Sequence, residues 1–138
     1  MASTIARFLF GKKGKKHEIE GVKYRLFSNK PTAKVTRSPN ATGDIVILSE
    51  VEGKIITEID ALAFSDCKGL SSVTIPESVT VVESGAFKGC KRLTRVIIQG
   101  SATNIVSGAF ADCPSLTDIS RENNKKKRLI APEKWRGS

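Results

Sequence analysis

Apolar residues in the middle of this chain recur at a fixed interval. Phenylalanine stands at 64, 87 and 110, cysteine at 67, 90 and 113, and leucine at 70, 93 and 116, so every step is 23 residues. The columns Ile59/Val82/Ile105, Ala63/Ala86/Ala109 and Val73/Val96/Ile119 keep the same step. A period of about 20–30 residues with a short leucine-bearing strand signals a solenoid, whose units cannot bury an apolar side alone and so stack on their neighbours. Inside one unit, LSSVTI (70–75) puts Leu70, Val73 and Ile75 inward and Ser72 and Thr74 outward, with Ser71 where the strand begins. SGAF supplies small residues where coils approach closely and a phenylalanine that fills the interior. The stacked coils are expected to form a parallel ladder of strands on one face and a ladder of phenylalanines within.

Ahead of the periodic block the pattern changes to alternation. In VKYRLF (22–27), Val22, Tyr24 and Leu26 alternate with Lys23, Arg25 and Phe27, NKPT makes a turn, and AKVTR (33–37) returns, which predicts a β-hairpin. DIVIL (44–48) and KIITEI (54–59) read as two further strands separated by a turn at VEG. These segments divide the chain into a basic N-terminal arm (1–19), a β-rich N-terminal cap and lead-in (20–58), the 23-residue repeats (59–120) and a basic C-terminal tail (121–138).

The cysteines follow the repeat rather than any ligand spacing. Corresponding residues of stacked coils lie about 4.7–4.9 Å apart, and free cysteine is among the residues most often buried. Three thiols cannot all pair within one chain, so the expected arrangement is a column of reduced core thiols. A zinc site needs four ligands, usually from close cysteine pairs. A catalytic thiol needs a neighbouring base, and the lone histidine, His17, lies far away in the sequence. The chain also lacks G-x-S-x-G and H-E-x-x-H, and GKKGKK (11–16) lacks the spacing of a phosphate-binding loop. Asp60, Asp66, Asp112 and Asp118 fall at solvent-facing repeat positions. No catalysis, cofactor or metal is expected.

Charge is concentrated at the ends. Residues 1–37 carry +8, 38–120 carry −4 and the last eighteen +5, which together make the formal +9. Such arms are either solvated tails or a grip for nucleic acid or an anionic membrane, with Lys12, Lys13, Lys15, Lys16, Lys125, Lys126, Lys127 and Arg128 as the contact residues. Ser3 would cap a short helix presenting Ile5, Phe8 and Leu9, which suits a membrane-surface anchor, a transit-like peptide or a docking tail as well as a plain extension. No run approaches the roughly 20 apolar residues of a membrane-spanning helix. With its lysines behind a short apolar stretch, the N-terminus is unlike a secretory signal, so the expectation is an intracellular protein, or a surface protein whose leader has been removed.

The pattern AFxxCxxLxxVxIPxSVxxVxxGAFxGCxxL, as it stands in 63–93, resembles the BspA-like leucine-rich repeats, the Treponema pallidum class. GDIVILSEVEGKIITEIDALAFSDC (43–67) resembles the lead-in before a first full repeat, with Ile45, Ile47 and Val51 matching Val73, Ile75 and Val79 and about five extra residues before Ile59. The resemblance implies a mainly β, short right-handed leucine-rich-repeat solenoid with a parallel concave sheet, and a role in binding host or partner proteins. IPESV occurs once, and the third repeat dissolves into SRENNKKKR (120–128), so Val22–Arg37 and Leu129–Trp135 are expected to cap a short array. A protein partner would sit on the outward columns Ser72, Arg95, Asp118 and Thr74, Ile97, Ser120, with Ile97 as an apolar anchor and Arg95 donating beside it.

Overall fold

The structure, a computed structural model, describes residues 15–101 and 103–122. Its elements are all strands: β1 (Lys15–Ile19), β2 (Val22–Leu26), β3 (Thr32–Thr36), β4 (Gly43–Val46), β5 (Glu50–Val51), β6 (Lys54–Ile59), β7 (Leu70–Ile75), β8 (Val81–Val82), β9 (Arg95–Ile98), β10 (Asn104–Ile105) and β11 (Asp118–Arg121). They wind into a parallel-strand solenoid of about four turns. One sheet has the order β11-β9-β7-β4, all parallel; the other runs β1-β2-β3-β6-β8-β10, with β5 added to β6.

The 23-residue step becomes register. Val73 lies opposite Val96, which lies opposite Ile119, while Glu58, Val81 and Asn104 align in the second sheet. Ile45 pairs with Val73, a step of 28 residues, so the five extra lead-in residues are real. They are absorbed by the β5–β6 hairpin, whose two-residue loop Glu52–Gly53 has positive φ at both positions.

Between the sheets the repeat forms three ladders. Phe64 and Phe87 stack with ring centroids 4.9 Å apart and Phe87 and Phe110 at 5.1 Å, both nearly parallel. Each thiol donates to a carbonyl of the coil before it: Cys90 to Phe64 at 3.0 Å, Cys113 to Phe87 at 3.0 Å, and Cys67 to Ser38 at 3.3 Å. Ser38 marks where the repeat gives way to the lead-in. Fully buried, its hydroxyl accepts from the Lys23 amide and donates to the Thr36 carbonyl within the hairpin, while its own amide donates to the Ala63 carbonyl at 2.7 Å and ties the hairpin to the first coil. The third ladder is main chain, with the Phe64 amide bonded to the Ala86 carbonyl and the Phe87 amide to the Ala109 carbonyl.

The residue two before each phenylalanine, at 62, 85 and 108, has positive φ in all three coils. Glycine in SGAF is therefore there for backbone conformation as well as close approach, since only glycine enters that region without a Cβ clash. Leu62 occupies the same position strained and 44% exposed.

The hairpin read from alternation is present, with Val22, Tyr24 and Leu26 facing Ala33 and Val35 over the first coil, all 2% exposed or less. The Leu48 amide donates to the Tyr24 hydroxyl at 3.1 Å, and burial pushes that phenol above its usual range. The cap also begins earlier than the sequence suggested. Lys15–Ile19, assigned to the basic arm, pairs with β2 across the turn Glu20–Gly21, where φ is again positive at both residues. His17 is buried at 7% exposure beneath it.

The last described coil is less buried. Phe110, Cys113 and Leu116 are half-buried, where the matching Phe87, Cys90 and Leu93 are wholly buried, and Ile119 is 52% exposed. A column of three equally buried thiols is thus realised for Cys67 and Cys90 only. No coil follows β11 among the described residues. The expected Leu129–Trp135 cap and the helix with Ile5, Phe8 and Leu9 lie outside the described residues.

Candidate interaction face

A parallel strand ladder displays one side chain per coil in each column, so neighbouring columns form stripes. On the outer face of the four-stranded sheet the first stripe is Asp44, Ser72, Arg95, Asp118 and the second is Val46, Thr74, Ile97, Ser120. All six residues singled out from the sequence therefore meet on one surface, in two adjacent columns.

The first stripe satisfies itself. Ser72 Oγ donates to Asp44 Oδ1 at 2.8 Å, and Arg95 Nε lies 3.3 Å from Asp118 Oδ2 with both side chains about half exposed. An exposed pair of this kind contributes roughly 0.2–1 kcal/mol. Its consequence is local: Arg95 is held in line with the stripe instead of reaching over Ile97.

The second stripe is apolar at two of its four positions. Ile97 is half-buried, and Val46, at the cap end, is 63% exposed. Beside Val46 lie Leu48, 37% exposed, and Ile55, 40% exposed. With Pro76, Glu77, Ser78 and Gln99 they line an open cleft of about 560 Å³ where the lead-in meets the first full coil. Glu50 and Glu77 are exposed around it. Fully burying one such aliphatic side chain stabilises by about 1.5–3 kcal/mol.

Sequence reading missed Val46, Leu48 and Ile55, although a signal existed. DIVIL is apolar at four consecutive positions where LSSVTI alternates, and shifting it by the extra five residues sets Val46 beside Thr74 and Ile97.

The expected polyanion-binding lysines divide differently. Lys16 is an exposed residue of β1 and Lys15 belongs to the same strand, whereas Lys12, Lys13, Lys125, Lys126, Lys127 and Arg128 lie outside the described residues.

The thiols are unsuited to nucleophilic work. Burial pushes Cys90 up to about 12 and raises Cys67 and Cys113 as well, so all three hold their protons at neutral pH. No helix among the described residues is long and apolar enough to cross a membrane.

A capped parallel solenoid with a striped open face is the form of a repeat scaffold that presents residues to another molecule. The BspA type leucine-rich repeat region matches residues 47–128 in six copies, and the chain belongs to that family. Members of the family generally serve in protein interaction or adhesion.

Solved structures agree. A leucine-rich repeat protein of T. pallidum is 28% identical over 76% of this chain and 49% of its own, with a TM-score of 0.66. A leucine-rich cell surface protein of Faecalibacterium prausnitzii is 26% identical over 77% of this chain and 32% of its own, at 0.63. A leucine-rich repeat protein of Bacteroides capillosus shares the fold at 16% identity and 0.55. The chain thus spans about a third to a half of the first two. No curated protein matches it.

Proposed function

We propose that the chain is a non-enzymatic protein-binding module whose partner lies across the outer face of the four-stranded sheet and anchors at its cap end. The observation that carries this reading is the cluster of Val46, Leu48 and Ile55, each more than a third exposed, with Val46 in the same column as Ile97. A contiguous apolar patch rimmed by polar residues marks an interaction site. Here Asp44, Ser72, Arg95 and Asp118 supply the polar rim and Glu50 and Glu77 the charge. The partner segment is extended and apolar, with basic residues flanking its anchors, so that the exposed carboxylates meet opposite charge.

The test is a matched pair of measurements on a partner recovered by affinity capture from the native source. The Val46→Asp/Ile97→Asp variant keeps the urea midpoint of the parent protein, because both side chains face outward, and binds the recovered partner at least tenfold more weakly. Undiminished binding by a folded variant overturns the assignment of this face.

A further inference from the structure

Strands β1, β2 and β3 are paired so that Lys16 stands directly opposite Arg25, and Arg25 directly opposite Lys34. Directly opposed residues share a face of the sheet, and the buried neighbours His17, Tyr24 and Val35 fix this one as the outer face. Three cations therefore form a row about 10 Å long at the usual strand spacing. Like charges in direct opposition destabilise a sheet, and a face that served only solubility would alternate in sign. The adjacent row does so, with Glu18 opposite Lys23.

The row is incompletely neutralised by the protein. Lys34 is matched from β6, with Glu58 opposite it in register and its Nζ 3.1 Å from Asp60, but neither Lys16 nor Arg25 forms an ion pair among the described residues. Glu18, the nearest carboxylate on β1, instead accepts a hydrogen bond from Asn40 at 3.3 Å.

An aromatic ring completes the patch. Phe27 continues the outward alternation of Lys23 and Arg25 and is half-buried. Lys30 Nζ lies 4.9 Å from its ring centroid and Lys34 Nζ 5.8 Å. Cations aligned along a sheet beside a half-buried ring combine a backbone track with a stacking surface, as in proteins that hold single-stranded nucleic acid without reading its sequence. A duplex hides its base faces and has no use for the ring.

We propose that the outer face of the N-terminal cap binds single-stranded nucleic acid, with Lys16 and Arg25 on successive phosphates and Phe27 against a base. Lys16 and Arg25 stand on β1 and β2 of the larger sheet, whereas Val46 and Ile97 of the protein-binding face stand on the four-stranded one.

The probe is a fluorescein-labelled oligouridylate of about 12 nucleotides, within the footprint of small single-strand-binding domains, titrated with the full chain by fluorescence anisotropy across a salt series. The Lys16→Gln/Arg25→Gln variant is expected to bind at least tenfold more weakly, with the slope of log K against log salt reduced by roughly 0.7 for each cation removed. Phe27→Leu, which keeps the apolar volume, is expected to weaken the oligouridylate about tenfold and leave heparin and a duplex of the same length unaffected. A wild-type chain that does not bind the probe, or binds the duplex equally well, overturns the proposal. So does unchanged binding in the Lys16→Gln/Arg25→Gln variant, with loss instead in Lys125→Gln/Lys126→Gln/Lys127→Gln/Arg128→Gln, which would place the contact in the tail. Coincident urea midpoints establish that each variant is folded.

Discussion

Replacing Phe87 by alanine should be the most damaging single truncation in the core. The ring is fully buried and is stacked on both faces, by Phe64 at 4.9 Å and Phe110 at 5.1 Å. Truncation of a buried phenylalanine typically costs about 3–5 kcal/mol, and each stacked pair adds roughly 0.5–1.5 kcal/mol beyond area, which puts this site at the upper end, about 5 kcal/mol. Phe110 loses only one described ring partner and is already half-buried, so Phe110→Ala should cost about half as much. With a urea m-value of roughly 2 kcal/mol per molar, the midpoint should fall by about 2.5 M at Phe87 and a little over 1 M at Phe110. Total stabilities of about 5–15 kcal/mol leave Phe87→Ala near the limit of folding. Phe87→Leu, which keeps an apolar side chain but loses both stacked pairs, is expected to cost about 1–3 kcal/mol and keeps the comparison measurable. Equal losses at Phe87 and Phe110 would refute the reasoning, because they would mean that the ladder does not run through the middle coil as one stack. A loss at Phe87 accompanied by a collapsed m-value would refute cooperative stacking, since coils that melt one at a time expose less surface per transition.

Two further outcomes follow from the ladders. Cys90 is raised to about 12 by burial, whereas the unfolded thiol ionises near about 8.5. The unfolded state therefore releases a proton that the folded state keeps, so stability holds below that pH and falls as pH rises towards 12, by at most about 1.4 kcal/mol per unit per thiol. Urea midpoints across the alkaline range should fall less steeply for Cys90→Ala than for the parent, and identical slopes would contradict the burial. The positive-φ column makes a different demand: Gly108→Ala, with Ser84 Oγ 3.8 Å from the added carbon, should cost about 1–2 kcal/mol from backbone strain alone. Gly85→Ala, whose added carbon would meet Leu62 Cδ2 at 2.9 Å, should cost more until Leu62→Ala removes the excess in a double-mutant cycle by thermal melting.

The core was legible because repetition is a statement about packing. Phe64, Phe87 and Phe110 recur because each must meet the last, and the register repeats the sequence columns residue for residue. Less of the backbone logic was visible. Leu62 broke the glycine column at 62, 85 and 108, so the shared left-handed conformation could not be seen from composition. β1 was concealed by charge: KKHEI reads as an extension of the basic arm, and becomes a strand only because β2 offers a free edge across Glu20–Gly21.

Interaction surfaces are harder to read for the reason that cores are easy. A partner recognises what distinguishes one coil from the next, so the informative residues are departures from the repeat. Ile97 could be found by comparing Thr74 with Ser120 at a step of 23, but Val46 sits in the same column only after the 28-residue step of the lead-in is known. The row of Lys16, Arg25 and Lys34 has no period at all. Its members stand nine residues apart through two antiparallel turns, and they meet because the Glu20–Gly21 turn and the Phe27–Pro31 connection happen to hold β1, β2 and β3 in that register. Slipping β2 by one residue against either neighbour would send Arg25 inward and scatter the charges. The same pairing that caps the solenoid core therefore creates the basic face. A capping segment needs only an apolar underside, and that leaves its upper side open to carry a second site.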